Sequence, residues 1–215
     1  MNNHYFTDNR HLPNDRRELS FQYQGAALRF ISDNGVFSKS AVDYGSKVLL
    51  EALGEHEAQL QTDILDVGCG YGVLGLSIKK AYPDKRVTML DINPRAVELT
   101  ELNARNNQCD VKVHVSDAYE KVENECFSDI ITNPPIRTGK KVIYPIFANA
   151  YQHLYPQGIL WVVIRKAQGA ESAKKYIESV FGNCEIIKKD KGYCILRAQK
   201  LEIEKQKQVI YYETR

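Results

Sequence analysis

Long apolar runs are missing from this 215-residue chain. The longest, Gly158 to Ile164, has the length of a strand and falls far short of the roughly 20 residues that cross a bilayer. No membrane span is expected. The opening stretch, MNNHYFTDNRHLPNDRRELS, is polar and charged without an apolar core, so it does not read as a signal peptide. The five cysteines (Cys69, Cys109, Cys126, Cys184 and Cys194) form no CxxC pair, which argues against both a disulfide framework and a zinc site. No metal is expected, and a reducing cytoplasm fits best. Repeats and low-complexity tracts are lacking as well, and the length leaves no room for two full-sized domains.

Net charge is also nearly absent, at +2, but that balance hides a division. Up to Asn133 there are 14 basic and 20 acidic residues; from Pro134 onward there are 15 basic and 7 acidic. A basic second half leaves a polyanionic partner such as nucleic acid open, since a localised basic surface attracts phosphates even on a neutral chain. With 43% hydrophobic and 26% charged residues, the chain has an ordinary globular composition.

Short β-rich runs alternate with helical patterns between Thr62 and Ala198, the rhythm of a parallel sheet flanked by helices. Strands are expected at Thr62–Val67, Arg86–Leu90, Val111–Val115, Ser128–Thr132, Gly158–Ile164, Cys184–Lys189 and Tyr193–Gln199. Helices are expected at Gly72–Ala81, Pro94–Asn106, Gly139–Leu154 and Ala170–Phe181; the second opens on Asn93-Pro94, a cap residue followed by a first-turn proline. The last two strands are close enough in sequence to form a hairpin, which implies an antiparallel edge strand. Ahead of this unit, Ser20–Phe37 reads as a β-hairpin around Gly25 and Val42–Leu53 as a short helix. The chain therefore divides into an N-terminal extension (1–55) that flanks or lids the unit after it, an α/β Rossmann-like domain (56–200) with a seven-stranded, mostly parallel sheet that includes an antiparallel C-terminal strand, and a tail (201–215).

Asp66-Val67-Gly68-Cys69-Gly70-Tyr71-Gly72 sets three alternate glycines where a strand becomes a helix, letting a ligand approach the backbone amides. Gly70-Tyr71-Gly72-Val73-Leu74-Gly75 also fits the dinucleotide pattern GxGxxG, so a nicotinamide cofactor remains open here. Asp66, inside the strand, suits a cationic amino acid moiety better than a pyrophosphate, and S-adenosylmethionine is a ligand of that kind. Asp91 closes the next strand, in Met89-Leu90-Asp91-Ile92-Asn93, where a carboxylate can hold a ribose diol and Ile92 can pack on adenine. After the third strand, in Ser116-Asp117-Ala118, Asp117 can accept from the adenine amino group.

The fourth strand runs into Asn133-Pro134-Pro135-Ile136-Arg137-Thr138-Gly139-Lys140. Paired prolines stiffen this loop, remove two donors and leave carbonyls to accept, which suits an exocyclic amine. If the Asn133 side-chain oxygen and the Pro134 carbonyl each accept one amine hydrogen, the nitrogen becomes more tetrahedral and its lone pair points at the methyl to be transferred. Arg137, Lys140 and Lys141 follow at once, and Arg165-Lys166 ends the fifth strand on the same sheet edge; these are candidate phosphate contacts.

The segments DVGCGYG, MLDIN and NPPIRTGK, with Gly35-Val36-Phe37-Ser38 and Asp43-Tyr44-Gly45-Ser46 before them, resemble the class I S-adenosylmethionine-dependent methyltransferases of the Asn-Pro-Pro group. Within that group the chain is similar to the ribosomal RNA small-subunit methyltransferase C family, guanine-N2 methyltransferases. The resemblance covers nearly the whole chain, in a short single-domain form that lacks the degenerate N-terminal copy of longer members. It implies catalysis by Asn133, Pro134, Pro135 and Ile136. The cofactor would lie against Phe37, Ser38, Asp66, Gly68, Cys69, Gly70, Gly72, Asp91, Ile92, Asp117, Ala118 and Asn133, with ribosomal RNA or the small ribosomal subunit as partner. The preceding segments, GVFS and DYGS, would help enclose the cofactor. Many Asn-Pro-Pro enzymes carry an aromatic residue where this chain has Ile136, so base stacking falls to Phe37, Tyr5 or Tyr144, or to Arg137. Other acceptors with the same chemistry are adenine N6 and a protein glutamine amide; a third reading is a cofactor-binding RNA assembly factor.

Overall fold

In chain order the elements are β1 (Arg17–Tyr23), β2 (Ala26–Ser32), α1 (Tyr44–Glu55), β3 (Asp63–Val67), α2 (Val73–Ala81), β4 (Arg86–Asp91), α3 (Pro94–Asn107), β5 (Lys112–Val115), β6 (Phe127–Thr132), α4 (Lys140–Gln152), β7 (Leu154–Arg165), α5 (Ala170–Phe181), β8 (Glu185–Asp190) and β9 (Tyr193–Gln199). This computed structural model describes residues 15–201; Tyr5 and the tail after Leu201 lie outside the described residues.

Seven strands form one sheet in the order β5-β4-β3-β6-β7-β9-β8. Strands β3 to β7 run parallel, and β9 is antiparallel to both its neighbours. This is the Rossmann-like arrangement that the alternating pattern predicts. One detail is corrected: the antiparallel strand is internal, and the edge belongs to β8. The reason lies in the two sequences. β9, Tyr-Cys-Ile-Leu-Arg-Ala-Gln, offers a nearly continuous apolar run that can be buried on both faces, whereas β8 carries Lys188 and Lys189 and is suited to an edge.

β7 also begins earlier than expected, at Leu154, because Leu154 already pairs with Phe127. Along it, Ile159, Trp161 and Val163 join a core with α1, α2 and α3, while Leu160, Val162 and Ile164 join the core under α4 and α5. That period of two puts apolar side chains on both faces of the sheet. Trp161 is fully buried, and its Nε1 donates to Asp129 Oδ1 at 2.9 Å. Burial pushes the Asp129 carboxyl above its usual range.

The N-terminal hairpin turns at Gln24-Gly25, both with positive φ (46° and 77°), the tight turn whose twist matches its strands. Its strands start at Arg17 and end at Ser32, short of the expected Phe37, where Asp33, Asn34 and Gly35 break the pattern. The free side of β2 is closed by α3. Asn103 accepts from Ile31 N and donates to Ile31 O, and Asn107 does the same with Arg29, at 2.7 to 3.0 Å. Two carboxamides one helical turn apart thus stand in for a third strand and fix the hairpin to α3. Among the described residues no helix is long and apolar enough to cross a membrane.

Candidate active site

The strand order reverses direction between β3 and β6, so the carboxyl ends of these two strands border the crevice where open α/β sheets take ligands. On one side is the glycine loop. Gly68, Gly70 and Gly72 all have left-handed φ (76°, 59° and 94°), and nothing lies within 4 Å of where a Cβ of Gly68 or Gly70 would stand. The loop therefore needs glycine for its backbone path and leaves open space above it. It is tied to the neighbouring strand by Gly68 N and Cys69 N, which donate to Leu90 O at 2.8 and 3.0 Å. Gly75 serves close packing: a Cβ there would meet the Met89 sulfur at 2.2 Å.

Two carboxylates flank this loop. Asp91 Oδ2 accepts from Gly70 N and Asp91 Oδ1 from Asn93 N, each at 2.8 Å. Burial pushes its carboxyl up to about 6 despite those amides. Asp66 is fully buried beneath the loop; its Oδ2 accepts from Gly75 N at 3.0 Å and its Oδ1 has no hydrogen-bond partner. Burial, reinforced by the charge of Asp91, pushes Asp66 up to about 7. Ile92 and Val115 are large apolar side chains left exposed beyond β4 and β5. Asp117 is exposed in the loop after β5, beside Ala118 at φ 44°, and Cys69 is buried with its thiol raised by burial.

A strap from Asp33 to Asp43 links the hairpin to α1 beside this loop. Asp33 Oδ2 accepts from Arg95 at 2.8 Å, Asn93 Nδ2 donates to Gly35 O at 3.0 Å, and Tyr71 OH donates to Ser38 O. Burial alone would raise the Asp33 carboxyl; the Asp15 amide, Arg95 and the Asn34 amide hold it below the usual range. Phe37 sits on the strap, half exposed, next to Ser38. Sequence reasoning missed Asp33, Asn93 and Arg95 as its anchors, since the residues that join are 58 and 62 positions apart.

On the other side of the crevice stands Asn133, directly after β6. Its Nδ2 donates to Asp43 Oδ2 at 2.8 Å and to Ser46 Oγ at 3.0 Å, both at the start of α1. With the nitrogen end engaged, Oδ1 is the end that faces away from α1. The prolines hold a tight path: Pro135 has φ −73° and ψ 70°, and Ile136 N donates to Pro134 O at 2.8 Å, an inverse γ-turn. The expectation of unengaged prolyl carbonyls is corrected here. Pro135 O accepts from Thr138 N and Thr138 Oγ1, and Pro134 O keeps only its second lone pair for a substrate.

Ile136 packs against the core under α4 and α5. Arg137 lies in the 3-10 turn Ile136–Thr138; its side chain is outside what is described. Tyr144 stacks on Tyr176 with ring centroids 4.1 Å apart and shares a hydrogen bond with Ser172, so it belongs to the contact between α4 and α5. Among the described residues expected to stack, Phe37, on the strap beside the glycine loop, is the exposed aromatic. Lys140 and Lys141 are exposed in the first turn of α4, and Arg165, the last residue of β7, and Lys166 after it are exposed as well, with the Arg165 guanidinium 4.7 Å from the Tyr193 ring centroid. Two cations in a first turn oppose the helix dipole, a placement that suits a phosphate better than it suits the helix.

The unpartnered Asp66 Oδ1, the backbone-held Asp91 and the open space over the glycines fit a ligand with an adenosyl group and a cationic head. Comparison with known proteins points the same way. Residues 27–197 match the methyltransferase small domain family. An uncharacterized protein of Bacillus subtilis (strain 168), YbxB, is 42% identical over 94% of this chain and 100% of its own length. Ribosomal RNA small subunit methyltransferase C of Vibrio parahaemolyticus is 36% identical over 77% of the chain, which spans about half (48%) of that relative. The solved 16S rRNA N2 G1207 methyltransferase of T. thermophilus, in complex with AdoMet and guanosine, superimposes with a TM-score of 0.79 at 28% identity, over 88% of this chain and 52% of that one. With its glycine loop, acidic strand ends and Asn-Pro-Pro turn on one sheet edge, the chain belongs to the methyltransferase small domain family.

Proposed function

We propose that the protein transfers a methyl group from S-adenosylmethionine to an exocyclic amine of ribosomal RNA, with guanine N2 in the small-subunit RNA as the acceptor. The observation that carries this reading is the pinned carboxamide of Asn133. Its two Nδ2 protons are spent on Asp43 and Ser46, so Oδ1 alone is presented to a substrate.

When bound, S-adenosylmethionine supplies a methyl group made electrophilic by its sulfonium. Asp91 accepts from the ribose hydroxyls while the amides of Gly70 and Asn93 hold its oxygens in place. Asp66 lies below the loop and adds negative charge beneath a cationic head. Ile92 provides apolar surface for adenine, and Asp117 an acceptor for its amino group. Asn133 Oδ1 and the second lone pair of Pro134 O accept the two amine hydrogens, which withdraws the nitrogen lone pair from the ring and frees it to attack. No strong base is needed, because the nitrogen becomes acidic as it gains the methyl and its proton passes to solvent.

A base reaches Asn133 only when unpaired or flipped out of its stack. Phe37 is the exposed aromatic for it to rest on, and the exposed Lys140, Lys141, Arg165 and Lys166, with Arg137 in the adjoining turn by its place in the sequence, are the candidate phosphate contacts. The small-subunit assignment rests on the relatives from Vibrio and T. thermophilus, and the preference for guanine over adenine or glutamine on Ile136, which packs against the core where many adenine and glutamine enzymes present an aromatic ring. The reaction belongs in the cytoplasm, the reducing compartment that the five free cysteines fit.

The test is transfer from labelled S-adenosylmethionine to small-subunit ribosomal RNA, both naked and assembled, followed by nucleoside mass spectrometry. N2-methylguanosine is the expected product. Label in N6-methyladenosine or in protein would reject the acceptor, and absence of transfer to any of them would reject the activity.

A further inference from the structure

The family resemblance implies that Asp43-Tyr44-Gly45-Ser46 helps enclose the cofactor; the structure shows in addition a partner within the protein. Asp43 caps α1: its Oδ2 accepts from Ser46 N at 3.0 Å. The same oxygen accepts from Asn133 Nδ2 at 2.8 Å, and Ser46 Oγ takes a second bond from that nitrogen at 3.0 Å. We propose that Asp43, with Ser46, is the positioning group of the transfer reaction: it fixes the Asn133 carboxamide with Oδ1 toward the acceptor amine and sharpens that oxygen as an acceptor.

Each part of the segment serves this arrangement. Gly45 carries no side chain because the space is taken: a Cβ would stand 2.7 Å from Tyr193 Cε1 and 2.9 Å from Asp43 Oδ2. Tyr44 OH donates to Asp190 Oδ2 at 2.6 Å, and its ring packs against Tyr193 with centroids 5.8 Å apart, so the first turn of α1 is tied to the hairpin of β8 and β9. Ser46 is buried at 6% exposure. The Asn133 amide therefore meets a fixed wall, and turning it over would set its oxygen against a carboxylate. A carboxylate accepting from Nδ2 also draws positive character onto the nitrogen and negative character onto Oδ1, as charge-assisted and linked hydrogen bonds do. An ordinary helix cap requires none of this reach across 90 residues.

This inference rests on the methyl-transfer reading above, so its test has an arm independent of activity. Asp43→Ser keeps a capping oxygen but is too short to meet Asn133, and Asp43→Asn keeps the reach without the charge; both residue types cap helices as well as Asp does. Turnover should fall on the order of 100-fold in Asp43→Ser, as for a reacting group displaced by about 1 Å, and less in Asp43→Asn. The affinity for S-adenosylmethionine by calorimetry and the melting temperature should stay at wild-type values. Ser46→Ala should show a smaller loss of the same kind. Independently, the Asn133 side-chain amide resonances of 15N-labelled protein should shift and exchange faster with water in Asp43→Ser. Wild-type turnover in Asp43→Ser, or a loss matched by an equal loss of cofactor affinity, would overturn the proposal. If the wild-type protein methylates no RNA amine, the functional reading fails, and the amide resonances alone decide the positioning: unchanged resonances in Asp43→Ser overturn it.

Discussion

Asp91 and Asn133 stand at the ends of β4 and β6, on either side of β3, yet they are held by different kinds of partner. Asp91 is gripped by backbone amides of Gly70 and Asn93, 21 and 2 residues away, and Asp66 by the amide of Gly75, 9 residues away. Asn133 is gripped by side chains of α1 that lie 90 and 87 residues earlier. Backbone amides hold these two carboxyls in place within the local turn, and burial pushes both of them up. Side chains on a partly exposed turn leave room for a large acceptor to approach. Under the proposed reading, the cofactor would meet a cradle of local backbone and the acceptor a more open site built from distant side chains.

If the two halves are separable, changes in the first should alter cofactor affinity and leave transfer at saturating cofactor nearly intact. The largest such effect is expected for Asp91→Ala. Losing hydrogen bonds to a charged group costs about 1.5–3 kcal/mol, so affinity for S-adenosylmethionine should weaken on the order of 100-fold by calorimetry. A comparable collapse of turnover at saturating cofactor would merge the two halves.

Acidity gives the next effect. Burial raises the carboxyls of Asp66 and Asp91 to about 7 and about 6. A ligand that donates to them, or brings a cation, favours the ionised forms, so binding in acid must displace their protons. Affinity should therefore be level above about pH 7 and weaken below it, by up to about tenfold per pH unit for each proton displaced. A pH-independent dissociation constant between about pH 5 and 8 would separate these acids from the ligand. The smallest effect belongs to Asp117, which is exposed: Asp117→Ala should weaken cofactor binding by a few-fold, as for one solvent-accessible hydrogen bond. A hundredfold loss there would contradict a single solvent-exposed contact.

The same division governs how far the sequence could be read. Asp66-Val67-Gly68-Cys69-Gly70 and Leu90-Asp91-Ile92-Asn93 carry their geometry locally, because strand, turn and helix start follow one another along the chain. So does the hairpin of β8 and β9, although which of its strands docks on β7 depends on comparing the apolar run of β9 with the lysines of β8. Asn133 was legible as a residue, but the orientation of its amide was not, since that depends on Asp43 and Ser46 arriving from α1. Asn103 and Asn107 on α3 look in sequence like solvent-facing polar residues; only the folded hairpin shows them closing β2. The prolyl carbonyls read as unengaged because the inverse γ-turn at Pro135 is set by the path into Thr138, which the residue types alone do not specify.

Asn133→Ala tests the account most directly, with turnover and S-adenosylmethionine affinity measured on the same preparation. The division of labour predicts turnover reduced on the order of 1,000-fold, as when a preorganised polar group at a reacting centre is removed, with cofactor affinity within about threefold of wild type. Turnover near the wild-type value, or a loss of cofactor affinity as large as the loss of turnover, would contradict it.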